Sequence, residues 1–232
     1  MTERPAAPDL FRSRSIDGSY RLFLIRHGRT SWNEAGRLMG REDIPLSPRG
    51  EGDVAELANG LAGISFHAIY TSPRARAHQT AAAIADRQNG VTPVKESRID
   101  ETLITRWVGL TREELAEDPE FVAFRHNPLH HTDGIEPAEE VDKRVAAFLS
   151  EIEMRHGDNG VIAMVSHADP LRIALARFLG MPLTHFKRLM VKTASVCVVT
   201  CRNGEYQLTG VNVERQNLAE LSVRPTLEPN AL

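Results

Sequence analysis

Apolar residues in this chain fall into short blocks with two spacings, separated by polar stretches marked by Gly and Pro. Arg21-Leu22-Phe23-Leu24-Ile25 and Val161-Ile162-Ala163-Met164-Val165 are brief, nearly continuous runs of the buried-strand type. Residues 67–70 predict a further strand. Helical spacing takes over at Val141, Val145, Phe148, Leu149 and Ile152, which share one face of a helix that Pro137 opens. Ser47-Pro48 reads as an N-cap followed by a first-turn proline, and predicts a helix toward Leu61. Ser72-Pro73 predicts a second helix through the alanine-rich stretch to about Gln88. Thr111 with Glu114 forms a capping box for a helix reaching about Arg125. Asp169-Pro170 caps and opens another that ends before Gly180-Met181-Pro182. Asn203-Gly204, between residues 194–202 and 205–213, predicts a closing β-hairpin.

Strands alternating with helices imply an α/β layer fold, to which the hairpin adds antiparallel character. Residues 1–19 and 215–232 have no such pattern and are expected to be flexible tails around one domain over 20–214. The chain has 232 residues, 41% of them hydrophobic and 25% charged, which is enough to bury a core without metal or disulfide staples. No apolar run is longer than Val161 to Val165, which is far short of a membrane span. With 28 Lys and Arg against 31 Asp and Glu, the net charge of -3 gives no reason to expect nucleic acid as a partner. Cys197 and Cys201 lie on one expected strand, where their sulfurs would stand about 13 Å apart, too far for a disulfide. They read as small buried hydrophobes, and a reducing, cytoplasmic location is the expectation.

Two apolar strands each run into a histidine: Phe23-Leu24-Ile25-Arg26-His27-Gly28 and Ala163-Met164-Val165-Ser166-His167. In open α/β sheets ligands bind beyond the carboxyl ends of the strands. Parallel neighbours would therefore bring both histidines to one rim, with Arg26 beside the first. The strand ending near Thr71 delivers Ser72-Pro73-Arg74-Ala75-Arg76 to a helix start, a place that already favours anions. Histidines, forked guanidinium groups and a helix N-terminus together describe a phosphate cradle. A neutral imidazole inside it is a nucleophile for phosphorus.

The stretch Leu24-Ile25-Arg26-His27-Gly28-Arg29-Thr30-Ser31-Trp32-Asn33 closely resembles the opening motif of the histidine phosphatase superfamily, the phosphoglycerate-mutase-like group. The similarity continues in order through Gly40-Arg41-Glu42-Asp43-Ile44-Pro45-Leu46-Ser47, then residues 70–81, then Val165-Ser166-His167. The fold this implies is a three-layer α/β sandwich: a mostly parallel central sheet, helices on both faces and the C-terminal hairpin. Roofing the substrate would be an insertion at about residues 103–136. The resemblance also implies that His27 becomes phosphorylated, and that Arg26, Arg76 and His167 hold the phosphoryl group. Asn33 and the backbone of Ala168 would line the same pocket. Glu101, six before Trp107, falls where the family places its general acid. Thr105 and Val108 depart from the usual residues of that segment, as Ala168-Asp169-Pro170 departs from the usual glycines.

The implied activity is a cofactor-independent, metal-free phosphomonoesterase working through phosphohistidine on a small phosphorylated metabolite. A phosphomutase and a catalytically silent phospho-ligand module are the rival readings. The extended Glu-Arg-His-Tyr-Gly segment of the glycolytic mutases is absent, which favours hydrolysis. Arg74 stands where the family usually has an apolar residue and is read as a solvated surface arginine. Asp169 is read as a helix cap. His126, His130 and His131 are expected to be exposed or substrate-facing rather than zinc ligands, because Pro128 breaks the helix that would align them. A homodimer is the default for soluble enzymes.

Overall fold

In the computed structural model, which describes residues 19–214 and Leu218, the elements follow in the order β1 (Ser19–Arg26), α1 (Ser31–Glu34), α2 (Pro48–Leu61), β2 (Ala68–Thr71), α3 (Ala75–Ala85), β3 (Val94–Lys95), α4 (Pro119–His126), α5 (Ala138–His156), β4 (Val161–Ser166), α6 (Ala168–Phe178), β5 (Val196–Arg202) and β6 (Glu205–Val213). The six strands form one sheet in the order β3-β2-β4-β1-β5-β6. β1, β4, β2 and β3 run parallel, and β5 and β6 are antiparallel additions at one edge. This is the mostly parallel sheet with a closing hairpin that the sequence implied. Asn203 and Gly204 both have positive φ, 51° and 77°, as a two-residue hairpin turn matching the strand twist requires.

Period-two alternation along the central strands builds two cores. Leu22, Leu24, Ile162 and Met164 face one side and pack with Val145, Phe148, Leu171 and Leu175 of α5 and α6. Phe23, Ile25, Ala163 and Val165 face the other and pack with Leu57, Leu61, Ala81 and Ile84 of α2 and α3. Both faces are covered, so the strands read as continuous apolar runs. Leu218, within the stretch expected as a tail, is buried in the second core. Cys197 and Cys201 are buried and unpaired, on β5. Among the described residues no helix is long and apolar enough to cross a membrane.

Three helix starts differ from the sequence expectation. The Thr111–Glu114 capping box forms, with Thr111 N–H donating to Glu114 at 2.7 Å and Glu114 N–H to Thr111 at 3.2 Å. It closes only a turn, because Asp118-Pro119 supplies a stronger start: the Asp118 carboxylate accepts from both Glu120 N–H and Phe121 N–H. The helix after Ser72-Pro73 begins at Ala75, since the Ser72 hydroxyl is engaged elsewhere. α6 begins at Ala168, so Asp169 lies inside its first turn and pairs with Arg172 at 3.0 Å instead of capping.

Residues 103–136 form a small unit packed against Arg37 and Leu38 of the segment after α1. Trp107, Leu115, Phe121 and Ile135 make its core, and Ile104 bridges to Ile135. The Glu136 carboxylate receives Arg41 and Arg144, at 2.9 Å from each, at the base of this unit.

Candidate active site

Strand register places the histidines. β1 and β4 pair in parallel with Arg26 opposite Ser166, so His27 and His167 are the next residues on adjacent strands. His27 N–H donates to Ser166 C=O at 3.1 Å, and the two imidazole rings lie 5.0 Å apart, centre to centre. Both side chains are buried. Burial, then Arg76 and then other nearby cations, Arg26 among them, hold both far below the usual histidine range, so both are neutral.

Tautomers follow from the partners. His27 Nδ1 contacts the carbonyl oxygen of Gly28 at 2.7 Å; a carbonyl only accepts, so Nδ1 carries the proton and Nε2 keeps its lone pair. The Ser72 hydroxyl donates to Asp100 Oδ1 at 3.0 Å, so its oxygen accepts from His167 Nε2 at 2.7 Å. Among the described residues, His167 Nδ1 is buried without a partner, as are Nε of Arg26 and Nε of Arg76. Buried polar atoms without partners are rare in folded proteins. Here three of them, two on cations, belong to residues grouped around one pair of imidazoles.

The loop after His27 is held by close backbone approach. A Cβ on Gly28 would collide with Val54 of α2, and one on Gly50 would collide with the backbone of Arg29. Gly28 N–H donates to the Thr80 hydroxyl at 3.1 Å, and that hydroxyl in turn donates to Arg76 C=O at 2.8 Å, tying the loop to α3. Arg76 is fully buried; its guanidinium donates to Glu42 C=O at 2.7 Å and Gly40 C=O at 3.0 Å. The loop that resembled the family motif is therefore a clamp on Arg76. Arg26 donates to Val191 C=O at 2.8 Å, and burial lowers it to about 10, so it stays a cation at neutral pH.

Glu101 joins the group electrostatically. Burial first, and the Asp169 carboxylate second, push it up to about 7; Arg76 and Arg26 pull the other way. A carboxyl poised there can give and take a proton at neutral pH. Its own side chain accepts from Thr102 N–H at 2.9 Å. Asn33 lies in the loop-to-helix unit after His27, where its Oδ1 accepts from Thr30 N–H at 3.1 Å. Ala168 opens α6 directly after His167, placing first-turn amides beside that ring.

Arg74 is not a solvated surface arginine. Its guanidinium grips Asp100 with Nε at 3.0 Å and Nη2 at 2.8 Å, and also donates to Arg41 C=O. Asp100 is buried and also accepts from Ser72 and from Glu101 N–H at 2.8 Å. Ser72, Asp100 and Arg74 thus connect the His167 ring to the backbone of Glu101, a network missed in the sequence. The available signal was an acidic residue wedged between an apolar Ile99 and Glu101. Of the three roof histidines, His130 bonds Glu120 at 3.2 Å and His131 is exposed. Among the described residues no three His, Cys, Asp or Glu side chains gather as a metal site would need.

Two neutral histidines at the ends of parallel strands, framed by buried arginines and a carboxyl of raised pKa, define a phosphoryl-transfer type of site on an α/β sheet. The chain belongs to the histidine phosphatase superfamily (branch 1), whose pattern it matches over residues 22–214. It is 36% identical over 183 residues to phosphoserine phosphatase 1 of Hydrogenobacter thermophilus, covering 77% of this chain and 85% of that protein. It is 34% identical over 176 residues to the adenosylcobalamin/alpha-ribazole phosphatase of Escherichia coli, covering 72% and 84%. The solved structure of YhfR from Bacillus stearothermophilus superimposes with a TM-score of 0.78 at 28% identity, covering 84% of this chain and 98% of that one.

Proposed function

We propose that the protein hydrolyses phosphomonoesters of small metabolites through a phosphohistidine on His27. The observation that carries this reading is the His27 tautomer: Nδ1–H is committed to Gly28 C=O, which leaves Nε2 as a buried, unprotonated nucleophile between Arg26 and Arg76. His27 Nε2 attacks phosphorus, the P–O ester bond breaks, and Glu101 gives its proton to the departing alkoxide. Water then attacks the phosphohistidine, Glu101 accepts a proton from it, and inorganic phosphate leaves. Arg26 and Arg76 meet the charge on the equatorial oxygens. As the dianion binds, His167 Nδ1 takes up a proton from solvent and donates it in a hydrogen bond to a phosphoryl oxygen, while Nε2 holds Ser72. The phosphatases among its relatives favour water as the acceptor over return of the phosphoryl group to a substrate, as in a mutase. Two unpaired cysteines fit a reducing cytoplasm.

The test is p-nitrophenyl phosphate turnover with a rapid, acid-free quench. Labelled phosphate should appear on His27 as an acid-labile, alkali-stable phosphoramidate, and His27→Ala should abolish label and turnover together. Label on Ser31 or Ser166 would overturn the mechanism.

A further inference from the structure

The two imidazoles at the rim of the sheet are pinned in opposite tautomers. His27 commits its Nδ1 proton to Gly28 C=O, which leaves Nε2 bare. On His167 it is Nε2 that is engaged, 2.7 Å from the Ser72 hydroxyl, while Nδ1 has no partner among the described residues. Ser72 cannot turn to reverse this. Its oxygen also accepts from Arg74 N–H at 3.3 Å, and its own proton goes to Asp100 Oδ1 at 3.0 Å. That carboxylate oxygen already receives Glu101 N–H at 2.8 Å and Arg74 Nε at 3.0 Å. A hydroxyl turned toward His167 would instead set its lone pairs against the carboxylate, with all three side chains buried. The direction of the chain is therefore fixed: His167 donates to Ser72, and Ser72 donates to Asp100.

Both bare nitrogens belong to the pair that frames the phosphoryl group, and that group is itself all acceptor. A phosphoryl dianion brings no proton, and the His27 Nε2 lone pair has to stay free to attack phosphorus. The remaining contact, between His167 Nδ1 and a phosphoryl oxygen, forms only with a proton placed between them. Three cations resist its arrival: Arg26 at the end of β1, and Arg74 and Arg76 at the start of α3, with neutral His27 beside them. Asp100 draws it in, 3.8 Å from His167 Nε2 across Ser72. Glu101 and, on α6, Asp169 are acids of the same cluster.

Resting on the phosphatase reading above, we infer that Asp100 is a positioning residue for His167: acting through Ser72, it obliges the site to take up one proton, at Nδ1, with each phosphoryl dianion. The proton comes from solvent and returns to it when inorganic phosphate leaves. Without the carboxylate, the Ser72 hydroxyl is free to donate to Nε2. A neutral His167 then carries its proton on Nδ1 and meets the dianion directly, with no uptake. Arg74, with Nε and Nη2 on the carboxylate at 3.0 and 2.8 Å, keeps Asp100 in place for this role.

The test uses Glu101→Gln, because Glu101 would itself gain a proton beside a dianion. Inorganic phosphate is titrated into this protein by calorimetry at pH 8 and 9, where free phosphate is the dianion. Buffers of different ionisation enthalpy count the protons. Uptake should approach one proton per phosphate, and affinity should fall about tenfold over that pH unit. Adding Asp100→Ala should bring the uptake near zero and leave affinity the same at both pH values. A purely structural Asp100 would weaken binding by one factor at both pH values and leave the count at one, which would overturn the inference. A second measurement does not need that variant to fold: the ¹⁵N spectrum of the His167 ring, assigned by its loss in His167→Gln. In the ligand-free protein it should show the proton on Nε2, with both nitrogens protonated once phosphate is bound. A ligand-free protein with the proton on Nδ1 would overturn the inference whatever Asp100→Ala does. No phosphate binding by Glu101→Gln at either pH, together with no p-nitrophenyl phosphate turnover by the wild type, would instead sink the phosphatase reading.

Discussion

The catalytic end of the molecule is assembled from side chains whose individual states are unfavourable in isolation. His27 and His167 are kept neutral by burial beside two guanidinium groups, and Glu101 is pushed up to about 7. If Glu101 protonates the leaving oxygen, its value must depend on how much that oxygen needs a proton. A general acid contributes roughly 10²–10⁴-fold, and Glu101→Gln should lose about that much kcat on an alkyl phosphate. On p-nitrophenyl phosphate, whose phenolate leaves unaided, the loss should be far smaller and His27 labelling should persist. Equal losses on both esters would make Glu101 a positional residue and turn attention to Asp169. The residues proposed to hold the phosphoryl group were legible in the sequence because their chemistry is stated by type and place: histidines at strand ends, and an arginine at a helix start. Ser72, Asp100 and Arg74 were not. Ser72 looked like a helix cap and Arg74 like a surface charge, since nothing local shows that a residue 28 and 26 positions further on will fold against them.

At the scale of elements, α2 holds the loop that follows His27 through its first turn. Ser47 N–H donates to Arg29 C=O at 2.9 Å, the Ser47 hydroxyl accepts from Gly50 N–H at 3.1 Å, and the backbone of Arg29 lies against Gly50. Two glycines of this helix should therefore respond with opposite sign. Gly52 is exposed with open space around its Cα, so Gly52→Ala should stabilise the fold by about 1 kcal/mol from helix propensity alone. Gly50→Ala drives a methyl group into the backbone of Arg29, two residues after His27. It should destabilise by about 1–3 kcal/mol and reduce turnover with it, as urea unfolding and p-nitrophenyl phosphate assays on the pair would read. A stabilised, fully active Gly50→Ala would show that the loop does not depend on this contact. Helix starts were read well where one signal dominates, as at Ser47-Pro48. They were misplaced where two compete, as when Asp118-Pro119 overrides the Thr111 box, or where a tertiary partner takes the capping side chain, as Asp100 takes Ser72. The strands at the centre were legible almost to the residue because both faces of the sheet are covered, which demands continuous apolar runs; β3, two exposed residues at the sheet edge, carries no such pattern.

For the molecule as a whole, the same pKa displacements that suit catalysis set opposing limits on stability. Glu101 has a folded value of about 7 against an ordinary 4.5. The folded chain thus binds this proton more tightly than the unfolded chain, so the contribution is present below 4.5 and lost as pH rises through 7. His27 and His167 are displaced downward from 6.5, so the unfolded chain binds their protons more tightly. Their contribution is present above 6.5 and lost as pH falls toward their folded values. Between 4.5 and 6.5 the two effects oppose each other; from 6.5 to 7 Glu101 acts alone. Comparing the wild type with Glu101→Gln isolates the carboxyl, because the amide does not titrate and the histidines remain in both. In a buffer free of phosphate, which would bind the folded state and mask the effect, urea unfolding at pH 5 and pH 8 should show the variant gaining on the wild type at the higher pH. The gain should be on the order of 1–3 kcal/mol after allowance for partial solvent screening. An advantage that is the same at both pH values would mean that Glu101 titrates at its ordinary value in the folded protein, and that the proton for the leaving group is held elsewhere.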